Sequence, residues 1–383
     1  MVLLEAVEPR FRAPSSELAR EVLIHGPILR SDLCHRLGLS PATLTRLSRP
    51  LLDRGLLMEM TEVLDGGMGR PAKPLDVRAE ARQFIGIKLT GDTAVAITTD
   101  LRATEGRRAE RPLPDHALAS VVEVITELVR ELGNEQEFSA IGISIGGSVS
   151  NHRVVDRAPF LGWRSAHLAE AVEAKLGVPV TVENDVVALT AAEHWFGLGR
   201  GLSNFAVITI GAGVGYGLVM HDKVVNTTDT GLGLAGHYPL DPSGPLCFLG
   251  HRGCSTAMLT IPSIRAQVEV GIGAPVTYVE VLRMARENHP VARQVVEAAG
   301  RALGHLIAAV ANLAMVEHVV LAGEGLGVLS VAGDEMRAAM AADRDPEATP
   351  IDLRIDEDGF MSWARGAAAI AIQRTLDTLA TAP

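Results

Sequence analysis

Apolar positions recur three and four residues apart through the first fifty residues. Leu18, Val22 and Leu23 form one face of a helix that Ser15 can cap, and Gly26-Pro27 stops it. Leu33 and Leu37 form the inner side of a second short helix, about 30–37, which ends at Gly38. A third opens with Ser40 as cap and Pro41 in the first helical position, where proline's missing N–H leaves no bond unmade. Leu44 and Leu47 hold it to the others; Pro50 is a point of kinking or division, and Gly55 closes the segment. The period then falls to two. Residues 57–63 read as a strand, 65–71 as a Gly-rich tip and 73–77 as the returning partner.

From residue 79 onward, strand patterns alternate with helical ones. Strands are predicted at 84–89 and 94–98, a helix at 118–132, and a strand at 140–145 that ends in Gly146-Gly147. A helix at 168–176 and a strand at 178–182 lead into Glu183-Asn184-Asp185 and the helix 186–196. The apolar strand 205–210 breaks into Gly211, Gly213, Gly215 and Gly217, and a second strand, 218–220, follows the glycines at once. A long helix at 292–315 precedes a strand at 318–322 ending in Gly323-Glu324-Gly325, and 361–379 is the last helix. Polar and glycine residues at strand ends are where open α/β sheets place ligands. The class is α/β with a helical front.

A chain of 383 residues is too long for one core, and 47% hydrophobic with 4% aromatic residues suits a soluble α/β protein. The formal charge of −11 excludes a protein that is basic overall. It falls entirely after residue 80, because the first eighty residues balance. Between Arg30 and Met58 five arginines face only Asp32 and Asp53. Three cysteines make no secreted disulfide framework. The start of the chain lacks a signal-peptide core, and the most apolar helix, 303–316, is short and holds His305 and Asn312. These features predict a cytoplasmic protein with no membrane partner.

Two short helices around a glycine turn, with a strand pair behind, make a winged helix-turn-helix over about 1–78. Small residues at the start of the third helix let its backbone enter the major groove. Pro41, Ala42, Thr45, Arg46 and Arg49 are the residues expected to face double-stranded DNA, and Arg70 at the wing tip suits the minor groove. The alternative is a plain helical cap. In the body, the alternating glycines leave amides bare for a phosphate-sized anion. His237, Cys247 and Cys254, set among glycines and prolines, suggest a loop tied to a metal.

The glycine loop, the His/Cys loop, Gly38-Leu-Ser-Pro-Ala-Thr-Leu-Thr-Arg46 and Gly69-Arg-Pro71 together resemble the ROK family, which holds repressors and sugar kinases. The resemblance implies a two-lobed actin-like/hexokinase-like domain over 79–383. It also implies an inverted-repeat operator read by a homodimer or homotetramer, and a small-molecule effector, a sugar or sugar derivative, between the lobes. Asn184, Asp185, His237, Gly146 and Gly147 are the implied ligand residues; 211–217 matches the second phosphate loop, and 361–379 is expected to pack near the DNA-binding module. The chain departs from the family in three places. The first phosphate turn reads Lys88-Leu-Thr-Gly-Asp92, with a cation where Mg²⁺ needs a carboxylate, so the glycines are vestigial, no ATP is expected and no residue is catalytic. Two sugar-binding glutamates are Leu234 and Thr256. Leu249 replaces the middle zinc cysteine, leaving zinc either abandoned or completed by water or His251. The rivals to this regulator are a sugar kinase with an N-terminal extension and a regulator independent of ligand.

Overall fold

The computed structural model describes residues 14–61 and 73–379. The front module is α1 (Pro14–His25), α2 (Arg30–Leu37) and α3 (Pro41–Asp53), then the antiparallel pair β1 (Leu57–Glu59) and β2 (Leu75–Val77). Its stops and starts follow the sequence signals. Gly38 ends α2 in the left-handed region (φ 63°), Ser40 accepts the Thr43 N–H at 3.2 Å, and Leu29 gives α2 no side-chain cap. Two details differ: α1 begins at Pro14, so Ser15 lies inside it, and α3 runs through Pro50 to Asp53. The wing tip, with Arg70, lies outside the described residues.

The first lobe contains β3 (Gln83–Leu89), β4 (Thr93–Thr99), β5 (Glu105–Pro112), α4 (Leu118–Leu132), β6 (Phe138–Ile145), the hairpin strands β7 (Ser148–Ser150), β8 (Val154–Ala158) and β9 (Trp163–Ala166), α5 (Leu168–Leu176), β10 (Val180–Asn184) and α6 (Asp185–Phe196). The second lobe contains β11 (Phe205–Ile210), β12 (Val214–Met220), β13 (Lys223–Val224), α7 (Ser255–Leu259), α8 (Ile261–Ile272), α9 (Tyr278–Arg286), α10 (Pro290–Ala314), β14 (His318–Ala322), α11 (Leu329–Ala342) and β15 (Asp352–Ile355). The chain then returns to the first lobe as α12 (Met361–Leu379).

Among the described residues each lobe is built on one sheet, ordered β5-β4-β3-β6-β10 in the first and β13-β12-β11-β14-β15 in the second. Both are an antiparallel meander whose first strand pairs in parallel with the fourth, and the fourth with the fifth. The body is thus an internal repeat that the residues themselves do not show. Helix α12 lies directly on the first sheet, because Gly86 and Gly142 present no side chain to it. A methyl group at either glycine would overlap backbone of Ala364, Ala367 or Ala368.

The module and the body share one apolar core. Leu18, Leu23, Leu44 and Leu75 of the module pack in the same cluster as Phe84, Leu101, Trp195, Ile372 and Leu376 of the body. Arg102, just after β4, bridges the two parts: it donates to Leu23 O at 3.0 Å and Gly26 O at 3.3 Å and pairs with Asp76 on β2. The expected docking of the last helix beside the module is therefore present through Ala371, Ile372 and Leu376.

Candidate DNA interface and inter-lobe cleft

The recognition helix shows one buried and one open side. Leu44, Ser48 and Leu51 face inward, while Pro41, Ala42, Thr45, Arg46 and Arg49 are all exposed together. Thr45 donates back to Pro41 O at 2.9 Å, and Arg49 lies 3.9 Å from Asp53 in a solvent-exposed pair that is easily given up. Arg30 ties the module to its wing through Glu59 at 2.7 Å and Lys73 O at 3.1 Å. This is a surface that can enter a major groove with cations at its far end.

In the cleft, β10 ends at Asn184 and α6 begins at Asp185. Asn184 caps α6, accepting from Val186 N at 3.0 Å and Val187 N at 3.1 Å. Its amide donates to Gly147 O at 2.8 Å and Asp185 Oδ1 at 3.2 Å. All the hydrogen-bonding capacity of this side chain is met within the protein. Asp185 is paired with Lys88, which lies on β3 across the sheet, and the two side chains are only 15% and 7% exposed. The Lys88 ammonium also stands 4.9 Å from the centre of the Trp363 ring. A lysine read from the sequence as standing where a carboxylate was needed is therefore the partner of Asp185, one of the implied ligand residues. Phe160, 58% exposed, lies beside Gly146 near the Asp185 carboxylate, and Gly231 packs against Gly147 O from the second lobe.

The four loop glycines separate into different tasks. Gly215 and Gly217 belong to β12, paired with Thr209 and Val207, and a methyl at either would overlap the hydroxyl of Thr209 or Thr190. They are small so that β12 can lie on α6, which corrects the expectation that all four bare their amides to an anion. Gly213 is open on its side-chain face. Gly211 carries the Glu324 carboxylate, which accepts Ala212 N–H at 3.1 Å. Of the lost sugar contacts, Leu234 is 69% exposed and Thr256 donates inward to Gly236 O at 2.6 Å.

A compact His/Cys group ties the loop after β13 to the start of α7. His237, Cys247, His251 and Cys254 bring one ligating atom each within 4.8 Å of one another. His237 Nδ1 is 3.7 Å from both thiol sulfurs, close to the about 3.5 Å edge of a tetrahedron with ordinary Zn–S and Zn–N bonds. Burial, then the neighbouring His251, hold the His237 pKa below its usual value, which keeps a ring nitrogen free to ligate. The Cys247 N–H donates to His251 O at 2.9 Å and the Gly250 N–H to Cys247 O at 2.9 Å, forming the turn that brings His251 into the group. Leu249, in the family's cysteine position, is 59% exposed. Sequence spacing left the fourth ligand open; Trp363 and Phe160 gave no local signal of a place in the cleft, whereas Glu324 had one in its position at the end of a strand.

No helix among the described residues is long and apolar enough to cross a membrane. The chain is similar to the DNA-binding transcriptional repressor Mlc of Escherichia coli, 26% identical over 307 residues that cover 75% of each chain. It also matches a crystal structure of a ROK family transcriptional regulator, a homolog of that Mlc protein. The match has a TM-score of 0.78 and 26% identity, over 96% of this chain and 98% of the other. A ROK glucokinase from Streptomyces griseus, solved with glucose and AMPPNP, shares the fold across 76% of this chain and 99% of its own. Its TM-score is 0.65 at 24% identity. Residues 84–374 match the ROK family, and the chain belongs to it.

Proposed function

We propose that this protein is a DNA-binding transcriptional regulator, working as a repressor, whose winged helix-turn-helix spans about 1–78 and whose effector-binding and oligomerisation body spans 79–383. The observation that carries the reading is α6. It starts at Asp185 in the cleft and ends at Phe196, with Trp195 in its last turn buried in the core shared with the DNA-binding module. Twelve residues at 1.5 Å each make a rigid link of about 18 Å between the two places. A sugar or sugar derivative held by Asp185, Gly146, Gly147 and His237, with Asn184 positioning Gly147 and Asp185 rather than touching the ligand, would shift the lobes and, through α6 and α12, the spacing of paired recognition helices. The operator is an inverted repeat read by a homodimer or homotetramer, in the cytoplasm.

Catalysis is not its role. Its named relative is a repressor, and an internal ammonium holds the Asp185 carboxylate that a kinase would need as base. A structural zinc on His237, Cys247, His251 and Cys254 would fix the loop after β13. In the test, full-length protein selects duplexes from a random-sequence pool, and anisotropy titrations follow across salt concentrations. Arg46→Ala is expected to weaken binding and lower the salt slope by about one. Failure to enrich any sequence would end the regulator reading. Hexose-dependent consumption of Mg-ATP, abolished by Asp185→Asn, would install the kinase in its place.

A further inference from the structure

The anion seat of the cleft is already filled, and by the chain itself. Glu324 follows β14 and opens the short turn Glu324–Val328. Gly323, with φ 102°, packs against Ile210 and turns the chain so that Glu324 meets the glycine loop. Its Oε1 accepts the Ala212 N–H at 3.1 Å, and its carboxylate lies over the Cα of Gly211. Backbone N–H groups in a glycine turn are the donors that seat a phosphate. On the other wall, the ammonium of Lys88 sits on Asp185, in the place of an incoming cation. Both charges that a metal-phosphate ligand would bring are therefore present as side chains.

We infer that Glu324 is a specificity-determining residue of the cleft. Its carboxylate stands in for a phosphate on the 211–213 turn, excludes nucleotides and phosphorylated ligands by like charge, and restricts the cleft to neutral, hydroxyl-bearing molecules. The exclusion stands by itself; the neutral ligand class rests on the proposed effector role of the cleft. The sequence hides this contact, because Glu324 and Ala212 are far apart in the chain. It also has a different origin from the loss at Lys88-Leu-Thr-Gly-Asp92. Restoring that first turn would leave the second loop occupied.

The probe is inorganic tripolyphosphate with Mg²⁺, titrated calorimetrically into the full-length chain and its Glu324→Gln and Glu324→Ala variants. Wild type is expected to show no saturable binding at millimolar probe. Glu324→Ala should bind at least ~10-fold more tightly than wild type, and Glu324→Gln, which keeps the size and drops the charge, should fall between them. Circular dichroism confirms that the exposed substitution leaves the fold intact, and the near-isosteric glutamine keeps the test valid if alanine does not. Equal binding by wild type and both variants, tight or absent, would overturn the inference. The probe carries no sugar, so its result does not depend on whether an effector is found.

Discussion

Replacing Lys88 by methionine removes the ammonium that stands over the Trp363 ring and keeps most of the apolar stem. The Asp185 carboxylate left behind still accepts Val186 N–H at 2.9 Å and the Asn184 amide at 3.2 Å, and it sits on the first turn of α6. Those donors compensate part of the unpaired charge, so the cost is about 2 kcal/mol, below the usual range for breaking a buried pair. Asp185→Asn is the worse change. It leaves an ammonium 7% exposed beside the Trp363 ring with no opposite charge to pair with, and about 3 kcal/mol is expected. The double variant has no buried charge and should lose about 2 kcal/mol, giving a coupling of about 3 kcal/mol. Urea unfolding followed by tryptophan fluorescence reads this directly, because Trp163, Trp195 and Trp363 all lie in the first lobe or against it. Additive losses, or a larger loss from Lys88→Met than from Asp185→Asn, would refute the reasoning.

Three further outcomes are expected. Purified protein should carry about one zinc per chain by elemental analysis; His251→Ala should abolish it, and Leu249→Cys added to His251→Ala should restore it. Zinc retained in full by His251→Ala would remove that imidazole from the site. Gly142→Ala forces a methyl into the Ala367 carbonyl and should cost about 3 kcal/mol by pushing α12 off its sheet, against under 1 kcal/mol for Gly213→Ala, which meets open space. The pH dependence of stability should show two opposed contributions. Burial raises Glu193 from 4.5 to about 7, so between those values the unfolded chain is the more ionised and stability falls as pH rises. Burial lowers His194 from 6.5 to about 4, so in that window the unfolded chain binds the extra proton and stability rises with pH. The two offset over about pH 4.5–6.5 in the wild type. Glu193→Gln should therefore unmask a rise and His194→Gln a fall; two flat profiles would show that neither group titrates as described.

The module was legible because its signals are local. Gly38, Ser40 and Pro41 act on backbone within one turn of themselves, and Leu29 could be read as a missing cap from its position alone. The alternation of strands and helices likewise fixed the α/β class. What the residues concealed is contact across distance. Lys88 and Asp185 are 97 residues apart, Ala212 and Glu324 are 112, and neither pair has a spacing that hints at its meeting. The repeated strand order of the two lobes was hidden for a related reason, since topology depends on pairing and many apolar sequences satisfy it. Gly215 and Gly217 misled because a glycine needed for close packing and a glycine needed for anion access look alike in one dimension.

The core that joins Leu18, Leu23 and Leu44 to Trp195, Ile372 and Leu376 also governs how such a protein can change over time. A recognition module with its own core could be traded between relatives like a cassette. Here an exchange would leave Trp195 and the end of α12 facing a stranger's helices. New operator preferences should therefore arise on the open side of α3, residue by residue, while the inner face drifts only in step with the C-terminal helix.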